Sequence, residues 1–370
     1  MNGPVTSGDR IVSCDHRRMQ YSRLGETGLI VSRLAFGSMT FGSAANPTFA
    51  SVYKVRQEGA DALVGRALDA GINFFNSADV YAGGESERIL GKTLGAKRKE
   101  VVIATKVGNR MGPSLIESGL SRRHILAAAE GSLTRLGTDY IDVYLVHKVD
   151  TLTPVEETIE ALEDLVRQGK VRYVGFSNWP AWMAAKAIGI QRARGWTQFR
   201  AAEMYYSLVG RDLEHEIAPL CTDSGVGVMV WSPLAGGFLS GKYTRSRPKG
   251  EAGDRLGGFD FLPYDRERGY QLIDLLQSIA EKRGASPAQI ALAWLLTRPA
   301  VSSILVGASR VSQLDDNLNA IGVTLDAEEL ARLDSATTPS VPYPHWFTPR
   351  VADSKAHNAL GVPLTTAPLR

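Results

Sequence analysis

The chain is short of several things, and each shortage removes a class of function. Only two of its 370 residues are cysteine, Cys14 and Cys221. They lie far apart in unlike surroundings, which argues against a disulfide framework and fits a reducing compartment. An excess of one charge is also missing: 42 Lys and Arg face 39 Asp and Glu, leaving +3. The densest basic cluster, Lys97-Arg98-Lys99, sits where a helix is expected to end, and cations there favour the helix dipole. No nucleic-acid partner is expected. No apolar run approaches the ~20 residues a membrane span needs. Residues Met1 to Arg18 are polar, without the apolar stretch of a secretory signal. A cytoplasmic chain with no membrane role is therefore expected. The six histidines are scattered without metal-ligand spacing, so no metal is expected. GxSxG, P-loop and GxGxxG patterns are absent as well, which removes serine hydrolases, nucleotide triphosphatases and the common dinucleotide fold.

What is present is a rhythm. Apolar, β-rich runs alternate with amphipathic stretches, the pattern of βα units around a parallel sheet. Tyr21 to Val31 reads as a hairpin turning at Glu26-Thr27-Gly28. Eight strands follow: Leu34–Gly37, Ile72–Phe75, Val101–Thr105, Ile141–Val146, Val171–Phe176, Phe199–Ala202, Val226–Val230 and Ser303–Val306. The clearest helix spans Thr151–Gly169. Val155, Ile159, Leu162 and Val166 share one face, Thr153 is the expected N-cap, Pro154 takes the first helical position, Glu156 completes a capping box and Gly169 stops the helix. Gly236 to Asp265 is too long for an ordinary connection and is expected to form a mobile loop over one end of the barrel. The predicted architecture is an α/β (β/α)8 TIM barrel. A polar tail over residues 1–20 precedes one barrel domain over 21–338, and a tail over 339–370 packs near the barrel mouth. Nothing in the sequence sets an oligomeric state.

Polar residues follow three of these runs: Asn76 and Tyr81 after the second strand, Lys106 after the third, His147 after the fourth. In a closed parallel barrel the strand carboxyl ends form one face, where functional groups collect. Singly, each residue has an ordinary explanation in packing, solvation or capping. Together they are the types that carbonyl chemistry needs. A phenol can deliver a proton, but its usual pKa of about 10 is high for neutral pH. A nearby ammonium lowers that pKa, and an imidazole can orient the carbonyl oxygen.

The chain resembles the aldo-keto reductases over about residues 20 to 335, and within them the potassium-channel β-subunit-like and bacterial broad-specificity branch. The matching stretches are Gly71 to Tyr81 (GINFFNSADVY), Ala104-Thr105-Lys106, Leu145-Val146-His147, Val174 to Asn178 (VGFSN), and Trp231-Ser232-Pro233-Leu234 continuing to Gly241-Lys242-Tyr243. The resemblance implies a barrel enzyme that interconverts a carbonyl and an alcohol, with NADP(H) favoured over NAD(H). Three members of the family's Asp-Tyr-Lys-His tetrad are matched by Tyr81, Lys106 and His147. Asn76 stands where the family has aspartate. It can accept a hydrogen bond from Lys106 but supplies no charge, so the expected enzyme is retained but retuned. Asp79, three residues on, lies where the family pattern varies and is not given that role.

The resemblance also implies a cofactor site. Ser177 and Asn178 would hold the nicotinamide carboxamide, joined by Glu203 where the family usually has glutamine. Trp231 would stack on the ring. Ser232, Leu234, Gly236 and Lys242 would wrap the pyrophosphate. After the last strand, Gly307, Ser309 and Arg310 lead into a helix N-terminus suited to phosphate, and Gln313 and Asn317 would face the adenine. Trp179, Tyr205, Tyr206 and Trp231, with Trp346 from the tail, would rim a pocket for a small-molecule aldehyde, ketone or secondary alcohol. The channel accessory subunits share this fold and stretches such as Gly119-Leu120-Ser121-Arg122-Arg123-His124-Ile125. The alternative reading is therefore a cofactor-binding redox sensor or accessory subunit with little turnover.

Overall fold

The computed structural model describes residues 19–43, 49–251 and 253–361. Most of the expected N-terminal tail, with Cys14, lies outside those residues, as does the end of the C-terminal tail. Two short strands, β1 (Tyr21–Arg23) and β2 (Ile30–Ser32), pair antiparallel. Eight parallel strands follow: β3 (Leu34–Gly37), β4 (Phe74–Asn76), β5 (Val102–Val107), β6 (Ile141–Val146), β7 (Val171–Ser177), β8 (Ala201–Tyr205), β9 (Gly227–Trp231) and β10 (Val301–Val306). They pair in chain order, and β10 returns to β3 to close the barrel.

The eight expected strands are present; β3, β6 and β10 end where expected, and the carboxyl ends of the other five run further. Asn76, Lys106, Ser177, Glu203 and Trp231 all belong to strands. The apolar run stops where the polar layer begins, whereas the backbone ladder continues through it; Ser177 still pairs with Glu203, and Tyr205 with Trp231. The clearest helix begins later than expected, spanning Val155–Arg167 with Pro154 as its N-cap. The Thr153 hydroxyl donates to Asp150 instead of capping. At the far end Gly169, at φ +74°, does stop the helix. The Gly169 and Lys170 amides donate to the Val166 and Leu165 carbonyls, a Schellman closure.

Because strand side chains alternate between faces, two apolar layers separate cleanly. Phe36, Phe75, Ile103, Tyr144, Phe176 and Val230 point outward and pack against helix residues such as Leu63, Ile125, Leu162 and Leu292. Ala35, Phe74, Ala104, Leu145, Ala201, Met229 and Leu305 point inward, joined by Leu24 and Val31 of the hairpin. The hairpin plugs the amino-terminal end of the barrel. Its Glu26 amide donates to the Gly225 carbonyl at 2.9 Å and its Gly25 amide to the Ser302 hydroxyl at 3.3 Å. That leaves the carboxyl end as the open one.

Over this end lies the long segment after β9. It is not featureless: Ala235–Ser240 forms a tight turn and Arg255–Gly258 a short helix. Phe261 stacks parallel to Trp231 with ring centres 6.3 Å apart. Phe259 packs on Phe49, and Lys54 donates to the Gly253 carbonyl at 3.3 Å. Residues 339–361 carry two short helices, and His345 pairs with Glu216 at 2.7 Å. No helix among the described residues is long and apolar enough to cross a membrane.

Candidate active site

The inward row of each strand runs on into the open end of the barrel. Two residues beyond Phe74 comes Asn76, beyond Ala104 comes Lys106, beyond Leu145 comes His147 and beyond Ala201 comes Glu203. Strand alternation therefore gathers these side chains into one layer directly above the apolar filling. Lys106 is fully buried, and Asn76 and Glu203 are 1% and 3% exposed. The Lys106 ammonium donates to Asn76 Oδ1 and to the Ser77 carbonyl, both at 2.8 Å, and reaches Tyr81 Oη at 3.4 Å. Glu203 Oε1 lies 3.1 Å from the same nitrogen. The Asn76 amide closes the cluster by donating to Glu203 Oε2 at 2.7 Å. Burial pulls the Lys106 pKa down, yet the Glu203 carboxylate and the Tyr81 hydroxyl outweigh it and hold the value above the ordinary one.

Tyr81 owes its position to an unusual turn. Ala82, Gly83 and Gly84 all take positive φ, at 49°, 62° and 88°. The chain so reverses at once after Tyr81 and leaves the ring edge-on to His147, with centres 5.8 Å apart. Burial, with Glu203 adding to it, pushes the phenol above its ordinary pKa, and Lys106 pulls the other way without prevailing. The ammonium was expected to lower that pKa; the net direction is upward because desolvation is the larger effect. His147 is pushed well below its ordinary value by burial and by Lys106 and Lys148, so the ring is neutral. Asn109 Nδ2 lies 2.9 Å from His147 Nδ1. With the amide donating there, the ring proton resides on Nε2. Asn109 follows no apolar run of its own, which hid it from sequence reading.

Asp79, fully buried, sits between this layer and the Glu87–Arg135 ion pair. Its carboxyl oxygens make no well-formed hydrogen bond, although the Val80 amide is near enough to pull its pKa down in part. Burial and the Glu87 charge push it up to about 7.

On the other side of the mouth, Asn178 takes φ +57°. Its amide donates to Ser177 Oγ at 2.8 Å and to the His147 carbonyl at 3.1 Å, and accepts from the Trp231 indole at 3.0 Å. Ser232, Ala235, Gly236 and Gly237 take positive φ in close succession, a curled backbone past Leu234. Lys242 pairs with Asp254 at 2.7 Å. Burial and the cations Lys242, Arg255 and Arg310 push the Lys54 ammonium below its ordinary pKa, against the pull of Asp254. Lys54 and Arg255, which sequence reading missed, thus share one positive region with Lys242 and Arg310. Beyond exposed Gly307, the helix Val311–Leu318 begins with no side chain capping its first turn from Arg310. Gln313 folds back to accept from the Ser309 amide and hydroxyl, and Asn317 is buried.

Two residues of the expected aromatic rim are core residues. Trp179 is 1% exposed between Phe176 and Phe199, and Tyr206 packs on Trp294 with its hydroxyl on Glu214. Both belong to the outer layer, which faces the helices. Trp346 packs with Tyr343 and Phe347. Tyr205 does remain at the mouth, against Trp231, lining a cleft of about 260 Å³ with Asn178, Met204 and Leu213. Among the described residues, no group of three His, Cys, Asp or Glu could hold a metal.

Tyr81, Lys106 and His147 thus meet at the open end of a closed parallel barrel. The chain belongs to the aldo/keto reductase family, whose model matches residues 33–338. It is similar to the versiconal hemiacetal acetate reductase of Aspergillus parasiticus, 36% identical over 348 residues, covering 88% of this chain and 99% of that one. It is also similar to the uncharacterized oxidoreductase YrpG of Bacillus subtilis, 38% identical over 85% and 95%. A probable voltage-gated potassium channel subunit beta of Arabidopsis thaliana is 35% identical over 82% and 92%. The family and these relatives support reductase activity in general, and members generally use NAD(P)H.

Proposed function

We propose that this chain is an NADP-dependent reductase of aldehydes or ketones in which Tyr81 gives the proton. The observation that carries the reading is the fully buried Lys106 ammonium, 3.4 Å from the hydroxyl of the half-buried Tyr81. The donor set suits a dinucleotide phosphate. Lys54, Lys242, Arg255 and Arg310 gather with Asp254 as the acidic group among them, an excess of positive charge that an anion would satisfy. The curled backbone from Ser232 past Leu234 to Gly236 lies next to it. Ser309, Gly307 and the helix N-terminus would take the further phosphate, and Gln313 and Asn317 the adenine side. Ser177, Asn178 and Trp231 would hold the nicotinamide end.

When bound, the cofactor supplies a hydride to the carbonyl carbon. The residues of the chain do the rest. His147, neutral and protonated on Nε2, donates to the carbonyl oxygen and fixes its position. Tyr81, whose pKa lies above ordinary, stays protonated at neutral pH and gives its proton to the oxygen as negative charge grows there. Lys106 stabilises the phenolate left behind. A phenol held in its acid form favours reduction over alcohol oxidation near neutrality.

Steady-state assays with NADPH test this. Tyr81→Phe should lower kcat by about 10²- to 10⁴-fold, the usual worth of a positioned acid, with cofactor affinity unchanged. Unchanged turnover would remove Tyr81 from the role. The potassium-channel relatives favour a second reading, an accessory subunit with slow redox turnover. Tight NADP binding with negligible multiple turnover on any carbonyl would support that one.

A further inference from the structure

We propose that Glu203 supplies the carboxylate that fixes the Lys106 ammonium, with Asn76 as the neutral bridge between the two. Glu203 is then a positioning residue for Tyr81 rather than a contact to the cofactor. The inference rests on the reductase reading for its kinetic consequence only.

In the closed order of strands, β4 and β8 are diametrically opposed. The Asn76–Glu203 hydrogen bond of 2.7 Å therefore spans the barrel across its axis. Both Glu203 oxygens are engaged inside the layer, Oε2 by Asn76 and Oε1 by Lys106. A carboxylate and an ammonium buried this deeply stay charged only as a pair. This arrangement also forces the chemistry of residue 76. Its oxygen must accept from Lys106 and its nitrogen must donate to Glu203. An aspartate at 76 would set a second carboxylate within hydrogen-bond distance of the first, and the two could not both ionise.

Asn76 and Glu203 thus act as one unit around Lys106, with the amide on the β4 wall and the negative charge on the β8 wall. The groups facing Lys106 are Glu203 from β8, Tyr81 from the turn after β4, His147 after β6 and Asp79. Tyr81 additionally faces Tyr53 and Arg255. Of these, Glu203 is the group that both carries negative charge and touches the Lys106 nitrogen.

The test is a cycle of Asn76→Asp, Glu203→Gln and the double variant, each measured for pH–rate profile and thermal denaturation. Glu203→Gln should lose kcat by at least ~10-fold with the KM for NADPH within ~3-fold. Its activity should fall at a lower alkaline pH than the parent's, as Lys106 loses its proton. Asn76→Asp should be impaired through carboxylate repulsion. The double variant, with one carboxylate restored on the opposite wall, should recover kcat to within ~3-fold of the parent and regain the parental profile. Losses that multiply in the double variant, or a Glu203→Gln whose only change is a raised KM for NADPH, would overturn the proposal. If none of the four proteins turns over, the reductase reading fails by itself. The denaturation arm still decides here: a double variant melting above both singles upholds the exchanged charge, and additive losses reject it.

Discussion

A buried carboxyl without good hydrogen bonds has a measurable signature. Asp79 titrates at about 7 in the folded chain against an ordinary value of 3.8. Between those values the folded state binds a proton that the unfolded state has released. Stability therefore falls as pH rises through that window, and the penalty is complete above it. At about 1.4 kcal/mol per pH unit, it amounts to a few kcal/mol. Asp79→Asn keeps the shape of the protonated acid and cannot ionise. Urea denaturation should find it equal to the parent near pH 4 and more stable by ~2–4 kcal/mol at pH 8. Parallel stability curves would show that Asp79 is ionised at a partner that geometry does not reveal.

The same layer shows what single residues disclose and what they hide. Tyr81, Lys106 and His147 were legible because each follows an apolar run and each type suits the chemistry. The contacts of Glu203 were not. Its partner Asn76 lies 127 positions away, and the contact exists only because closing the sheet faces β8 toward β4. Two members of the expected aromatic rim failed for a related reason. Trp179 and Tyr206 stand close to strand ends, but sequence position does not say which side of the barrel wall a ring occupies, and both lie on the helix side.

At the scale of elements, the strands were legible as apolar runs, and the carboxyl ends of five of them were not. A run ends in sequence at the first polar residue, yet a parallel ladder ends where neighbouring backbones diverge. That difference matters for function, because it seats Lys106 and Glu203 on rigid strands rather than on loops. The hairpin makes the complementary point at the other end. Gly25 takes φ +56°, and a Cβ there would sit 2.4 Å from the Gly225 carbonyl oxygen. Gly25→Ala should therefore lift the plug and cost roughly 1–3 kcal/mol, read as a lowered Tm. Since the plug touches the apolar filling and not the polar layer, kcat at a temperature well below Tm should stay at the parental value. A fall in kcat equal to that of Tyr81→Phe would mean that the filling transmits strain upward.

At the scale of the whole molecule, charge is sorted by depth. Inside the barrel the Lys106–Glu203 pair balances itself. Outside, Lys54, Lys242, Arg255 and Arg310 come from three separate stretches of chain and converge with Asp254 among them. A near-neutral chain of +3 thus carries one locally positive rim, which composition alone conceals. Of its cations, Lys54, Lys242 and Arg310 are exposed, and exposed charges act on a phosphate through water and are screened by salt. The KM for NADPH should therefore rise with ionic strength while that for NADH rises less. Arg310 is the cation at the uncapped helix start, where a terminal phosphate has both a guanidinium and free amides to meet it. Arg310→Ala should raise the KM for NADPH by ~10- to 100-fold, the worth of a charge-assisted contact of about 1.5–3 kcal/mol. It should leave NADH within ~3-fold and kcat with either cofactor unchanged, because nothing at Arg310 reaches the acid–base layer. An equal loss for both cofactors would move Arg310 from the distinguishing phosphate to the shared pyrophosphate. No loss for either would leave Lys54, Lys242 and Arg255 as the cations that hold the cofactor.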